Sequence, residues 1–124
     1  MRGRSAGQST LQRVYLLGKQ LLKCRRRPTA IVSANNQMAF RAMNAARELG
    51  LRIPDDLAVM GFDNIPLSSY FDPPLTTVEI PIYETGAETM RLLMGILSGE
   101  NFDKLKLFQT KLFVRGSTTK KIFP

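Results

Sequence analysis

PTAIVSANNQMAF, residues 28–40, and RIPDDLAVMGFDN, residues 52–64, decide the fold of this chain. Each places a short apolar run after a proline and ends it on polar side chains, Asn35 and Asn36 in the first, Asp63 and Asn64 in the second. An uninterrupted apolar run of this length, bounded by turn formers, is the pattern of a strand buried on both faces of a parallel sheet. In an open parallel sheet the carboxyl ends of the strands floor the ligand crevice, so a polar residue there is placed to touch a small molecule.

Between the two runs lies a helix. Asn35 or Asn36 offers an N-cap, because the side-chain oxygen accepts from free backbone N–H groups of the next turn. Met38, Ala39, Met43, Ala46 and Leu49 supply an apolar face, and Gly50 supplies the left-handed residue that ends the helix. Strand, polar end, helix and glycine stop make one βα unit, and LAVMGF with its Asp63 and Asn64 end begins the next.

Outward from this centre the pattern continues. From Ser9 the spacing of Leu11, Val14, Tyr15, Gly18, Leu21 and Leu22 is helical, with Ser9 or Thr10 as cap and Pro28 as the barrier beyond its end. Gly61 lets a backbone or a ligand approach closely, and Pro66, Pro73 and Pro74 predict a loop with little regular structure. Thr76–Ile80 is a third strand, Pro81 starts a helix running to about Ser98, and Leu105–Val114 reads as one long strand or two short ones. The expected organisation is a loose basic leader at 1–8, one α/β unit at 9–118 and a tail at 119–124.

The alternation of strands and helices predicts a three-layer, Rossmann-like α/β fold, a parallel sheet with right-handed crossovers and helices on both faces. About four strands are visible, few for a doubly wound sheet with protected edges, so the chain reads as part of a larger domain.

Composition narrows the function. The chain has 124 residues, 44% of them hydrophobic, and a formal net charge of +8. Arg2, Arg4, Arg13, Lys19, Lys23, Arg25, Arg26 and Arg27 stand in the first 27 residues without an acid, and the remainder is balanced. Such a basic segment is either a solvated helix face or an electrostatic, sequence-independent attraction for phosphate backbones or an anionic membrane. With no histidine, Ser-His-Asp or Cys-His pairs and histidine-containing zinc sites are excluded, and Cys24, the single cysteine, excludes an intramolecular disulfide. No nucleophile has a visible base, so no enzyme, cofactor or metal is expected. Lys19 and Lys23 interrupt the first apolar run, which removes a secretion signal, and no segment reaches the ~20 apolar residues of a membrane span. A soluble cytoplasmic protein is expected.

RPTAI at 27–31, RELGLRIPDDLAVMGFDN at 47–64, PPLTTV at 73–78 and VRGST at 114–118 occur in an order and spacing that resembles the C-terminal part of LacI/GalR transcriptional regulators. The resemblance runs from Tyr15 to Thr118. It implies an incomplete subdomain of the periplasmic binding protein-like I fold, in a protein whose two subdomains clasp a small-molecule effector and which acts as a homodimer. It implies binding of operator DNA through a helix-turn-helix that has no signature in this chain. Asp63 matches the family aspartate that hydrogen-bonds the effector, and its alternative role is to cap the following turn. Asn35 matches a residue that contacts ligand in sugar-responsive members, or it is only a helix cap. Arg41 stands where the family has a small residue; it points to solvent or enters the crevice and favours an anionic effector. Phe71, with Tyr70, either walls a sugar by stacking or packs in the interior. Asn36 replaces the usual aspartate, and Gly116 a polar residue, read as a surface change. The alternatives are a sugar-binding module of a transporter, which shares the fold, and a basic fragment binding nucleic acid non-specifically.

Overall fold

The computed structural model describes residues 6–101 and 105–119, with side chains from residue 12 onward. Residues 1–5 of the expected leader, residues 102–104 and residues 120–124 of the expected tail lie outside the described residues. Eight elements follow in order: α1 (Ala6–Lys23), β1 (Ala30–Val32), α2 (Asn36–Glu48), β2 (Ala58–Phe62), α3 (Leu67–Tyr70), β3 (Thr76–Glu79), α4 (Ile82–Leu97) and β4 (Lys111–Phe113). They form an α/β fold around one four-stranded sheet of order β1-β2-β3-β4.

β1 and β2 are parallel with Ile31 opposite Val59, and β2 and β3 are parallel with Gly61 opposite Thr77. β4 departs from the all-parallel expectation, running antiparallel to β3 with Lys111 opposite Glu79. An antiparallel edge strand needs no crossover helix, so the stretch between α4 and β4 can return directly. Within the expected 105–114 strand only Lys111–Phe113 is paired.

The core lies between α2 and the sheet. Ala39, Met43, Ala45 and Ala46 of α2 are fully buried with Leu57, Val59 and Leu75, and Leu22 of α1 completes the cluster. Four small alanines along α2, counting Ala42, let α1 approach closely, and Gly18 of α1 sits where a Cβ would lie 3.7 Å from Ala45. Val59 and Gly61 are the buried positions of β2, alternating with half-buried Ala58, Met60 and Phe62 as the two-residue period requires.

Several local expectations change. α1 starts at Ala6, so Ser9 and Thr10 lie inside the helix and not ahead of it. Leu21 is exposed with Leu16 and Leu17, because α1 buries only the side that meets α2. The proline-bounded loop contains the one-turn helix α3, whose Ser68 is buried. Gly50 has φ +70, the left-handed geometry expected after α2.

α4 stands apart from this core. Gly95 is its one buried residue among those described, while Ile82, Met90, Met94, Ile96 and Leu97 are each more than half exposed.

Candidate functional site

β2 and β3 deliver their carboxyl ends side by side, and the chain turns outward beyond each. At the end of β2 the turn is made by two consecutive non-glycine residues in the left-handed region, Asp63 with φ 92 and Asn64 with φ 44. Such backbone costs about 1–3 kcal/mol per residue and persists only where surrounding contacts hold it. Asp63 N–H donates to the Val78 carbonyl at 2.9 Å, the last bond of the ladder, and Asn64 N–H donates to Thr77 Oγ1 at 3.2 Å. The Asn64 side chain is held from both sides, its Nδ2 donating to Glu79 Oε1 at 3.0 Å and its Oδ1 accepting from Arg115 Nη2 at 2.9 Å.

Asp63 opens into a hollow of about 570 Å³ shared with Glu79, Pro81, Tyr83, Glu84 and Lys111, with Ile80, Ile82, Phe108 and Gln109 completing its walls. The volume is that of a site for a small molecule. The Asp63 carboxylate is half-buried and has no hydrogen-bond partner or ion pair among the described residues. Both its oxygens are therefore free to accept from ligand hydroxyls or N–H groups. Three carboxylates against one ammonium make the lining acidic.

The other expected residues lie elsewhere. Asn35 is the N-cap of α2, in extended backbone, with its side chain accepting from Met38 N–H at 2.9 Å. It is at the end of β1 but is not among the residues of the hollow. Arg41 is exposed on the outer side of α2, where it borders a shallow depression with Tyr15, Asn44, Arg47 and Glu48. It does not enter the Asp63 hollow. Phe71 stacks on Phe40 with ring centroids 4.4 Å apart, and the Arg47 guanidinium lies 5.4 Å from its centroid. Those contacts make it a packing residue of the core margin, while Tyr70 is exposed.

Asn36, in place of the usual aspartate, turns into the interior. It is 1% exposed, with Nδ2 donating to Ser68 Oγ at 2.6 Å and Oδ1 accepting from Thr77 Oγ1 at 2.8 Å. Gly61 is required by this amide, since a Cβ there would run into Asn36 Oδ1. The close approach expected at Gly61 is thus made by a side chain of the protein. Gly116 also differs from expectation: a Cβ there would lie 3.2 Å from Pro73 and 3.4 Å from Pro74, a packed position.

The VRGST end closes the sheet behind the site. Ser117 is fully buried, with Oγ donating to the Val59 carbonyl at 2.6 Å and accepting from Thr76 N–H at 2.8 Å, and its carbonyl accepts from Val59 N–H. Arg115 Nη1 donates to the Leu75 carbonyl at 2.8 Å and so braces the guanidinium that holds Asn64.

Glu79, Tyr83 and Lys111 were not singled out from the sequence. The rule that found Asp63 also applies to Glu79, the polar end of β3. Lys111 reaches the hollow only because β4 pairs with β3, which no local signal announces.

Among the described residues no group of three histidine, cysteine or acidic side chains is arranged to hold a metal ion, and no helix is long and apolar enough to cross a membrane. Arg25, Arg26 and Arg27 are exposed in the turn after α1.

A family model described as a periplasmic binding protein-like domain matches residues 1–118. The repressor CytR of Escherichia coli K12 is 42% identical over 101 residues, which are 81% of this chain and 30% of that protein. A lactose operon repressor of Rhizobium radiobacter is 39% identical over 106 residues, covering 86% of this chain and 94% of that sequence. The crystal structure of a LacI-family regulatory protein from Chloroflexus aggregans superposes with a TM-score of 0.78 at 40% identity, over 96% of this chain and 42% of that one. The chain thus spans about a third of the length of the first curated relatives it matches.

Proposed function

The chain belongs to the periplasmic binding protein-like family, in its LacI-type branch of transcriptional regulators, and from that premise we propose that it is the effector-sensing part of such a regulator. The observation that carries the reading is the free carboxylate of Asp63 at the carboxyl end of β2, opening into the 570 Å³ hollow. Its effector is a neutral, hydroxyl-rich small molecule, a sugar or a nucleoside. The acidic lining opposes a phosphorylated ligand, and Arg41, the cation that favours one, is on another face.

The regulator works in the cytoplasm as a homodimer. Effector binds the closed arrangement of two subdomains more tightly than the open one, and that difference in affinity shifts operator binding made elsewhere in the protein. Asn35, which is outside the hollow, serves as the cap of α2. The relatives are regulators, and catalysis has no part in the reading.

The test uses the full-length regulator carrying this segment, titrated calorimetrically with a panel of unmodified sugars and nucleosides and their phosphorylated forms. Asp63→Asn keeps the shape and removes the charge. It is expected to weaken the binding of the best ligand by 10-fold or more, since hydrogen bonds to charged groups are worth about 1.5–3 kcal/mol. Unchanged affinity in that variant overturns the site, and preference for a phosphorylated ligand overturns the ligand class. The 124-residue chain presents one wall of the clasp, so its own affinity for the same ligand is expected to be undetectable by calorimetry. Micromolar binding contradicts that.

A further inference from the structure

We propose that Asn36, Thr77 and Asn64 form a hydrogen-bonded relay that holds the Asp63 carboxylate in its place at the hollow, as positioning residues that reach Asp63 without lining the hollow themselves. The importance of this placement rests on the reading of Asp63 as the effector's acceptor, but the relay itself is tested without a ligand.

The relay is read from the number of protons each group can give. A threonine hydroxyl carries one proton, and that of Thr77 is given to Asn36 Oδ1 at 2.8 Å. Its lone pairs are left to accept the Asn64 N–H at 3.2 Å. Asn36 is itself oriented by its Nδ2 bond to Ser68 Oγ at 2.6 Å, which turns its oxygen toward Thr77. Asn36 and Thr77 are buried, so water does not compete for these bonds, and a satisfied buried network specifies one geometry. Every buried side-chain nitrogen and oxygen among the described residues has a partner.

The output of the relay is the backbone of residue 64. Asp63 and Asn64 both sit in the left-handed region, where only local contacts keep a non-glycine residue. The backbone of Asn64 is held by Thr77, and its side chain by Arg115 and Glu79. Glu79 lines the hollow with Asp63, so the clamp on Asn64 also sets the spacing of two of its three carboxylates.

The experiment is NMR on the uniformly labelled 124-residue chain and three variants, with no ligand present. In Asn64→Gly the residue keeps its positive φ without strain while the side-chain clamp is lost. The Asp63 amide order parameter is then expected to fall from the rigid value of about 0.85 to below about 0.6. In Thr77→Val the shape is kept and the acceptor removed, so exchange at the Asn64 amide should accelerate about tenfold or more. Thr77→Ser, which keeps the hydroxyl, should hold the Asn64 exchange near that of the unaltered chain, a rescue that loss of packing alone does not predict. Unchanged exchange at the Asn64 amide in Thr77→Val overturns the proposal, and if that variant fails to fold, equal order at Asp63 and Asn64 in Asn64→Gly and in the unaltered chain overturns it instead. Failure of the effector titration with a normal relay leaves this result standing, so the two readings fall separately.

Discussion

Gly61 shows how much a single position carries. A methyl there meets Asn36 Oδ1 and also comes within 3.2 Å of Leu75 Cδ2 and 3.3 Å of Ala39 Cβ, three neighbours in a packed interior. Gly61→Ala is therefore expected to destabilise the chain by about 1–3 kcal/mol, the usual cost of overpacking. A lowered urea midpoint with an unchanged slope is the expected measurement, and an unchanged midpoint contradicts the contact. The glycine was legible as a place of close approach, but its neighbour was not. Asn36 lies 32 residues from Ser68 and 41 from Thr77, so its partners follow from tertiary packing and not from any local pattern. The asparagine pair also divides in a way that spacing alone left open. Asn35 takes the cap and Asn36 turns inward, because successive residues at a helix start point in different directions.

Among the elements, α1 and α2 are tied by charge as well as by apolar contact. Glu48 accepts from Tyr15 and pairs with Lys19, whose ammonium lies 4.9 Å from the Tyr15 ring centroid. The hydrogen bond from Lys19, then that from Tyr15, holds the Glu48 carboxyl below its ordinary 4.5. On α4, Arg91 and then Lys106 hold Glu88 lower still, at about 2. A carboxylate with a depressed folded-state value contributes stability above its unfolded value that is lost as pH falls toward the folded one. Both ties should thus be intact above pH 4.5 and weaken below it, the Glu88 tie fading on the way to about pH 2. Lys19 is shifted upward by the same Glu48 bond, so on the alkaline side its contribution is lost only as pH rises through a value above 10.5. These groups are partly exposed and solvent screens them, so each effect is small. Glu48→Gln is expected to flatten the acid limb of a plot of Tm against pH, and an unchanged limb shows that the tie contributes nothing. The first three strands, α2 and the glycine stop were legible because their signals are local. α3 was not, since four residues between prolines give no period to read.

For the molecule as a whole, the uneven surface matters most. Ile82, Met90, Met94, Ile96 and Leu97 on α4 are exposed together, and Leu16, Leu17 and Leu21 are exposed on α1. Soluble monomers rarely leave contiguous apolar surface of this kind uncovered. The isolated chain is therefore expected to self-associate, its light-scattering mass rising with concentration, and Met94→Lys with Leu97→Lys is expected to reduce the rise. A constant monomer mass at high concentration contradicts this. The net charge of +8 slows but does not prevent association, because at physiological salt its repulsion is screened within about 8 Å.

By itself the sequence determined the βα units, the order of the strands along the chain, the family and the place of Asp63 at a strand end. These follow from periodicity, capping and turn chemistry, which act over a few neighbouring residues. The tertiary structure alone decided that Arg41 and Phe71 stand away from the hollow, that Lys111 stands in it, and that Asn64 is held by an arginine 51 residues further along. A hydrogen bond across that separation has no signature in spacing. Its partners are chosen by which strands pair and which faces pack, and those choices exist only once the chain has closed on itself.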